Sequence, residues 1–409
     1  MLSLSDITTI SVTVEGSCAN HPLLAAGATL PKKNNLTITP EILFGVGSLR
    51  CQSADLELYS YVDTVQLWQS LHQIYGRYLS LLDVKFVALA TGEQLRDISE
   101  FVGVSYGLLA VNNELSVPLN RIRRFTPSGK GKRVDFEFYI NNVRYFHETK
   151  GTTIPGSVNG MRKNILNQKS STKAYCNQKG QAPASWITGS IAVYPHRKRP
   201  KIAPEVFLVD PPVDNHLAVQ NIRATENLIT VLRYYQTFYA VTHLAPTGRK
   251  RISLARWIAG IIQSLIREET APTEAPSNLE SRPRLAEPGA ESSIFKGTVF
   301  DARITRQNAA HFKTFEEATE NIIAPRTFVG VSQDVTDLIT RCRWDELLAY
   351  RFDSNLGSAI KGNPGILPTG ILVKNLAQSD PEWEALALNE FLQMKKLIQR
   401  QKTSRSPNE

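Results

Sequence analysis

The most informative part of the chain is the stretch Arg133-Val-Asp-Phe-Glu-Phe-Tyr-Ile-Asn-Asn-Val-Arg-Tyr-Phe-His-Glu-Thr-Lys-Gly151. Polar and apolar residues alternate on either side of its central Asn-Asn pair, and alternation with a period of two is typical of β-strands. Asparagine is common in tight turns because its short side chain bonds to nearby backbone. We therefore predict a β-hairpin with strands over 134–140 and 143–149.

The charged side chains of this hairpin are predicted to converge. Successive side chains of a strand point to opposite faces, so Glu148 and Lys150 share one face, and Asp135 and Glu137 share a face of the partner strand. In the right register, two or three carboxylates and one ammonium meet in a small patch. His147 points to the opposite face, where we expect it to pack or lie at the surface.

Such a patch favours a bound cation. Packed carboxylates repel one another and their pKa values rise, whereas Mg²⁺ (or Mn²⁺) prefers oxygen ligands and removes that penalty. A bound divalent ion can activate water and stabilise charge that builds up on a phosphate. We predict metal-dependent phosphodiester hydrolysis with Asp135, Glu148 and Lys150 as catalytic residues and Glu137 as an accessory ligand. The alternative is an ordinary surface hairpin whose charges are solvated.

These residues resemble the PD-(D/E)XK nuclease superfamily, which includes many restriction endonucleases. Asp135 matches the first acidic position, Val134 stands where the pattern often has proline, and Glu148-Thr149-Lys150 matches the second half. The resemblance covers about residues 120–212, roughly a quarter of the chain.

The resemblance implies an α/β fold of the restriction-endonuclease-like kind, a mixed sheet flanked by helices. It implies that Mg²⁺ is held by Asp135, Glu148 and the carbonyl of Thr149. It also implies a helix at about 157–174, on which Gln168 is an accessory polar residue, and a further strand at about 186–194.

The rest of the chain is long enough for additional domains, since 409 residues exceed the size of one ordinary domain. We predict five regions: an N-terminal α/β domain (1–120), the nuclease core (121–212), a helical extension (213–269), a Pro-, Glu- and Ser-rich linker (270–293) and a mostly helical C-terminal region of unknown role (294–409). In the first region, the pattern predicts a helix that ends near Gly103 and a strand over 106–111. In the last, it predicts an amphipathic helix from about 380.

Residues 40–120 also resemble a worn copy of the same superfamily core. Pro40-Glu41 could stand for the first motif, and Glu57-Leu58-Tyr59 lies where Glu-x-Lys would fall. Tyr59 cannot supply an ammonium, so such a copy would be inactive and would serve docking or DNA binding. The alternative is a plain α/β domain.

The formal net charge of +9 favours a polyanionic partner, nucleic acid first. We predict phosphate contacts from three basic groups, with solvated loops as the alternative for each. These groups are Arg121, Arg123, Arg124, Lys130, Lys132 and Arg133; Arg162, Lys163 and Lys169; and Arg197, Lys198 and Arg199.

Several functional classes are disfavoured. The chain contains neither the glycine pattern of a P-loop nor a complete dinucleotide fingerprint. Its four cysteines form no CxxC pair, which disfavours zinc and fits a reducing cytoplasm. We expect no signal peptide and no membrane span.

Three hypotheses remain open. The first is a metal-dependent DNA nuclease in restriction or anti-phage defence, a setting that only the resemblance suggests. The second is a catalytically silent nucleic-acid-binding or scaffolding subunit of a larger complex. The third is a transcription regulator without a metal site. A homodimer would suit an enzyme that cuts both strands.

Overall fold

The computed structural model describes residues 8–19, 21–24, 28–52, 68, 70–72, 79–82, 85–125, 134–140, 143–178, 186–210, 224–243, 250–281, 285–286, 294–301, 313–315, 326–352, 365–375 and 381–404. Its strands are β1 Thr8–Val14, β2 Lys32–Ile38, β3 Leu79–Leu82, β4 Lys85–Ala88, β5 Ile122–Arg124, β6 Phe136–Ile140, β7 Val143–Thr152, β8 Trp186–Val193, β9 Glu205–Val209, β10 Ile252–Ser253, β11 Leu279–Glu280, β12 Leu285–Ala286, β13 Phe295–Asp301, β14 Arg326–Ser332, β15 Ile366–Leu367 and β16 Ile371–Asn375. Its helices are α1 Pro40–Gly47, α2 Gly92–Glu114, α3 Val158–Gln178, α4 Ala224–Thr242, α5 Leu254–Ile266, α6 Gln333–Thr340, α7 Trp344–Ala349 and α8 Pro381–Ser404.

A seven-stranded mixed sheet with the order β2-β1-β9-β8-β7-β6-β5 forms the centre of the fold. The pairs β1–β9 and β7–β8 are parallel, and the other neighbours are antiparallel. The sheet draws strands from both 8–38 and 122–209, so the structure differs from the predicted boundary at residue 120. The N-terminal strands complete the sheet that carries the hairpin.

Helix α2 packs against β7 and β8 through glycines. A Cβ at Gly103 would lie 2.7 Å from the backbone nitrogen of Gly151, and one at Gly107 would lie 2.2 Å from Oγ of Ser190. The prediction of a helix end at Gly103 and a strand over 106–111 was therefore wrong. These glycines continue the helix and let it approach the sheet closely.

Helix α3 covers the other face of the same strands. Ile165 packs against Gly189, where a Cβ would lie 2.8 Å from the isoleucine side chain. Because residues 189 and 190 are adjacent on β8, their side chains point to opposite faces. The mixed sheet is thus flanked by helices on both sides. The predicted hairpin, the helix at 157–174 and the strand at 186–194 are confirmed with small shifts of their ends.

Besides the helices α6, α7 and α8, the C-terminal region contributes to a five-stranded antiparallel sheet with the order β12-β13-β14-β16-β15, which was not predicted. Its residues share a core with the rest of the chain. Trp68 stacks on Phe300 of β13 with ring centroids 5.7 Å apart and contacts Phe238 of α4. The predicted terminal helix is confirmed as α8.

The predicted linker and the two motifs of the proposed worn copy have different outcomes. Part of the predicted linker is ordered, since β11 pairs with β10. Pro40-Glu41, the proposed first motif of the worn copy, forms the first turn of α1 directly after β2. Glu57-Leu58-Tyr59 lies outside the described residues.

Among the helices that the structure describes, none combines the length and apolar character needed to cross a bilayer.

Candidate active site

The hairpin register sets Asp135 and Glu148 opposite each other. Phe136 of β6 pairs with His147 of β7, so Asp135, one residue before β6, lies beside Glu148. Side chains at paired positions of antiparallel strands emerge on the same face. This is the juxtaposition that the sequence predicted.

Thr149 holds the carboxylate of Asp135. Its backbone amide and its hydroxyl both donate to Oδ2 of Asp135, at 3.3 and 3.0 Å. The amide therefore points away from β8, into the space beyond the end of β6. Within a strand, the N–H and C=O of one residue point to the same side. The carbonyl of Thr149 thus faces the side on which the Asp135 carboxylate lies.

Glu148 is fully buried, and its two oxygens have different surroundings. Oε1 contacts Nζ of Lys150, whose side chain remains 27% exposed. Oε2 has no hydrogen-bond partner within the part of the chain that the structure describes. A buried carboxylate oxygen without a donor is costly, and such atoms are often satisfied by a bound ion or water.

The pKa values show that the two acids share one electrostatic environment. Burial first, and then the charge of Asp135, raises the pKa of Glu148 to about 8, although Lys150 and Gln168 lower it. Partial burial also raises the pKa of Asp135, against the lowering effects of Lys150 and of the Thr149 hydrogen bonds. Gln168 lies on α3, so the structure brings together five of the six predicted site residues: Asp135, Glu148, Thr149, Lys150 and Gln168.

This donor set fits a hard divalent cation. Two carboxylates and a backbone carbonyl are oxygen ligands of the kind that Mg²⁺ and Mn²⁺ prefer. A cation would satisfy Oε2 of Glu148 and relieve the repulsion from Asp135 that contributes to the raised pKa of Glu148. No cluster of three or more His, Cys, Asp or Glu side chains suited to a metal occurs among the described residues, so the carbonyl and water would have to complete the shell.

Glu137 has a different role from the predicted one of accessory metal ligand. Its carboxylate is buried and accepts from Nε of Arg123 and Nε of Arg144, both at 2.7 Å. Burial alone would raise the pKa of Glu137, but the two guanidinium groups outweigh burial and hold it at about 2. Because two arginines already pair with both oxygens of this carboxylate, a metal ion would have to displace a guanidinium group to bind it.

The first basic group is also placed differently from the prediction. Arg123 is buried and bridges Glu137, Tyr139 and Glu226. Arg121 and Arg124 donate to the backbone oxygens of Leu348 and Arg50. These guanidinium groups bind the protein itself, which weakens their prediction as phosphate contacts. Lys130, Lys132 and Arg133 lie outside the described residues.

The other two basic groups are divided between core and surface. Lys169 is buried and donates to Oδ1 of Asp210 at 2.6 Å, contrary to its predicted place on a phosphate-binding face. Arg162 is ion-paired with Glu15 but keeps part of its side chain exposed. The exposed members are Lys163, Arg197, Lys198 and Arg199.

Sequence reasoning missed the partners of Glu137. The pairing Arg123↔Glu137 and Tyr139↔Arg144 places both arginines beside it, and the second pair follows directly from the hairpin turn. That cross-strand register was the available signal for Arg144. Nothing in the local pattern identified Arg123, because it lies on a separate short strand.

Comparisons of this chain with protein-family models, with curated proteins and with solved structures found no match.

Proposed function

We propose that this protein is a metal-dependent nuclease that hydrolyses phosphodiester bonds in DNA. The observation that carries the proposal is the pair of carboxylates from adjacent strands, Asp135 and Glu148, beside Lys150. Burial raises the pKa of each acid, and one buried oxygen of Glu148 has no donor among the residues that the structure describes. This is an arrangement that a divalent cation stabilises and that a purely structural hairpin has no reason to maintain.

Asp135, Glu148 and the carbonyl of Thr149 would hold the metal, which supplies Lewis-acid stabilisation of the phosphate and lowers the pKa of water. Thr149 fixes the orientation of Asp135 through two hydrogen bonds, so this ligand needs little reorganisation. Lys150 keeps 27% of its side chain exposed, and its ammonium can reach a phosphate oxygen or the attacking water. Gln168 approaches from α3 and can orient Glu148.

The mixed sheet with helices on both faces is compatible with a restriction-endonuclease-like fold, which we include in the proposal. The setting of restriction or anti-phage defence rests on the superfamily resemblance alone, and the proposed cytoplasmic location rests on the cysteine pattern. An enzyme with one such site per chain needs a second copy, or another subunit, to cut both strands of a duplex at once.

The test is cleavage of supercoiled plasmid with Mg²⁺ or Mn²⁺ by the wild type and by Lys150→Ala. We expect nicked or linear product from the wild type, a loss of at least about 100-fold in the variant, as for removal of a key charge stabiliser, and no product in EDTA. Lys396→Ala is the matched control, because Lys396 is exposed on α8 and belongs neither to the site nor to the predicted phosphate contacts. Equal cleavage by the wild type and Lys150→Ala would overturn the proposal, and binding without any product would favour the silent-subunit hypothesis.

A further inference from the structure

A concave feature lies on the same face of the sheet as Lys150. A cavity of about 500 Å³ opens between the start of α3 and the strands β8 and β9. Its walls are mainly apolar, and its polar lining comes from Asn159, Arg162 and Glu205. The volume is within the ordinary range for small-ligand pockets.

The sheet register connects this cavity to Lys150. Lys150 pairs with Ile191 of β8, and Ile191 pairs with Phe207 of β9, which lines the cavity. Paired residues share a face, so Lys150 and Phe207 stand on one face, two strands apart. That spacing is about 10 Å, the axial rise of roughly three nucleotides of one strand. The loop after β7 supplies two further lining residues, Pro155 and Gly156.

The surroundings of the cavity are basic. The segment that contributes the lining residues Ile202 and Ala203 also carries four exposed cations, and Lys163 follows the lining residue Arg162 on α3. These four are Arg197, Lys198, Arg199 and Lys201. The acidic groups near them, Glu15 and Glu205, already contact Arg162 and Lys33. An anionic ligand is favoured over a neutral or cationic one.

We propose that this cavity binds the base of an unpaired nucleotide, within about three nucleotides of the bond that is cut. The inference rests on the proposed function and adds a substrate class to it: nucleic acid that is single-stranded, or locally opened, next to the cleavage point. The apolar walls take the base, and the basic segment 197–201 neutralises the phosphates beside it.

The chemistry inside the cavity suits a base. The guanidinium of Arg162 lies over the ring of Phe207, 5.6 Å from its centroid, which provides a planar cationic surface at the cavity wall. Bases stack on arginine and aromatic planes, and Asn159 can bond to a base edge. A base within a duplex cannot enter such a pocket without unstacking, so single strands should bind more readily.

Two variants that fill the cavity test this inference. A Cβ at Gly156 meets no atom within 4 Å, so Gly156→Phe adds a ring where the space is open, and Ala203→Trp adds a large ring at another lining residue. The matched control is Gly160→Phe, since Gly160 also faces open space but does not line the cavity. Affinity for a short fluorescent single strand and for a blunt duplex is measured in EDTA, by anisotropy.

We expect the two blocking variants to lose single-strand affinity by about tenfold, as for one lost base contact, with unchanged duplex affinity. Gly160→Phe should match the wild type for both ligands. Wild-type single-strand affinity in either folded blocking variant would overturn the inference. Because these assays contain no metal, that failure is separate from a failure of the wild type to cleave.

A measurement on the unmodified protein covers the case in which both variants misfold. An oligonucleotide carrying photoreactive 5-iodouracil is crosslinked to the wild type, and the modified peptide is identified by mass spectrometry. We expect crosslinks at Phe207 or within 155–162. Crosslinks exclusively elsewhere would overturn the inference. It would also be overturned if the protein bound a free mononucleotide and single strands did not displace that mononucleotide.

Discussion

The hydroxyl of Thr149 donates to Oδ2 of Asp135 at 3.0 Å, although the two residues lie on different strands and 14 positions apart. Asp135 precedes β6, so the backbone pairing between β6 and β7 has already ended at this position. The side chain of Asp135 therefore accepts the hydrogen bond of the Thr149 amide, which has no backbone acceptor on β6. The residue between Glu148 and Lys150 therefore fixes the position of the other acid.

Thr149→Val tests this coupling. Valine keeps the shape that packs against Gly107 and keeps the backbone donor, but it removes the hydroxyl from Asp135. We expect cleavage to fall about 10-fold and the Mg²⁺ requirement to rise, as for other losses of an outer hydrogen bond to a metal ligand. Stability should change by only about 1 kcal/mol. Thr237→Val on α4 is the control. It removes the hydrogen bond from the Thr237 hydroxyl to the backbone oxygen of Arg233, far from the site in the sequence, and it should cleave normally.

Glu148→Gln should separate stability from activity. The folded-state pKa of Glu148, about 8, is above its ordinary value of 4.5, so the folded metal-free protein holds its proton more tightly than the unfolded chain. Its stability must then fall as pH rises from about 4.5 to about 8. In Glu148→Gln the neutral amide does not titrate, so stability should depend less on pH between about 4.5 and 8. At pH 9 in EDTA the variant should therefore unfold at a higher temperature than the wild type. Cleavage should be lost.

The change in thermal stability on addition of Mg²⁺ is a second test of the same variant. A ligand that binds only the folded state raises stability in proportion to the logarithm of its concentration. The wild type should therefore gain thermal stability on addition of Mg²⁺ at pH 9, and Glu148→Gln should gain little. An equal gain in both proteins would mean that the cation binds at another site.

Glu137→Gln should destabilise the fold without altering the metal requirement. It leaves Arg123 and Arg144 buried with less compensation, which typically costs about 3–5 kcal/mol. Urea unfolding measures the loss, and a Mg²⁺ titration of the residual activity should give the wild-type midpoint. A shifted midpoint would restore Glu137 as a metal ligand.

The same carboxylate predicts acid lability. Because the pKa of Glu137 is held at about 2 in the folded state, below the ordinary value of 4.5, its contribution is complete above pH 4.5 and is lost as pH falls toward 2. The wild type should lose stability over that window. Glu137→Gln should lose less, because it has no such group to protonate.

How much of the fold the sequence predicts depends on how local the determining contacts are. The hairpin, α3 and β8 were predicted because their period and turn residues are contained in short segments. The arginines that neutralise Glu137 were not, because Arg123 belongs to a strand whose pairing depends on the tertiary fold. The convergence of Asp135 with Glu148 was predictable, since it follows from one turn and one register.

The C-terminal sheet shows a different cause of failure. Gly297 of β13 and Gly330 of β14 pair directly in the register. Glycine is depleted in strands and interrupts the alternating pattern, so both segments lack a clear strand signature. A Cβ at Gly297 would lie 1.9 Å from the carbonyl oxygen of Val329, so close backbone approach explains this glycine, and that approach exists only in the folded sheet.

The misinterpreted helix glycine gives a last prediction. Alanine ordinarily stabilises a helix relative to glycine by about 1 kcal/mol, and Gly160→Ala on α3, where the added Cβ meets open space, should follow that rule. Gly103→Ala on α2 should do the opposite, because its Cβ would lie 2.7 Å from the backbone of Gly151, which cannot rotate away. We expect a loss of about 1–3 kcal/mol by urea unfolding, as for overpacking. Since Gly151 follows Lys150, Gly103→Ala should also lower cleavage to the fraction of molecules that remains folded. Stabilisation by both alanines would show that α2 does not depend on this glycine contact with β7.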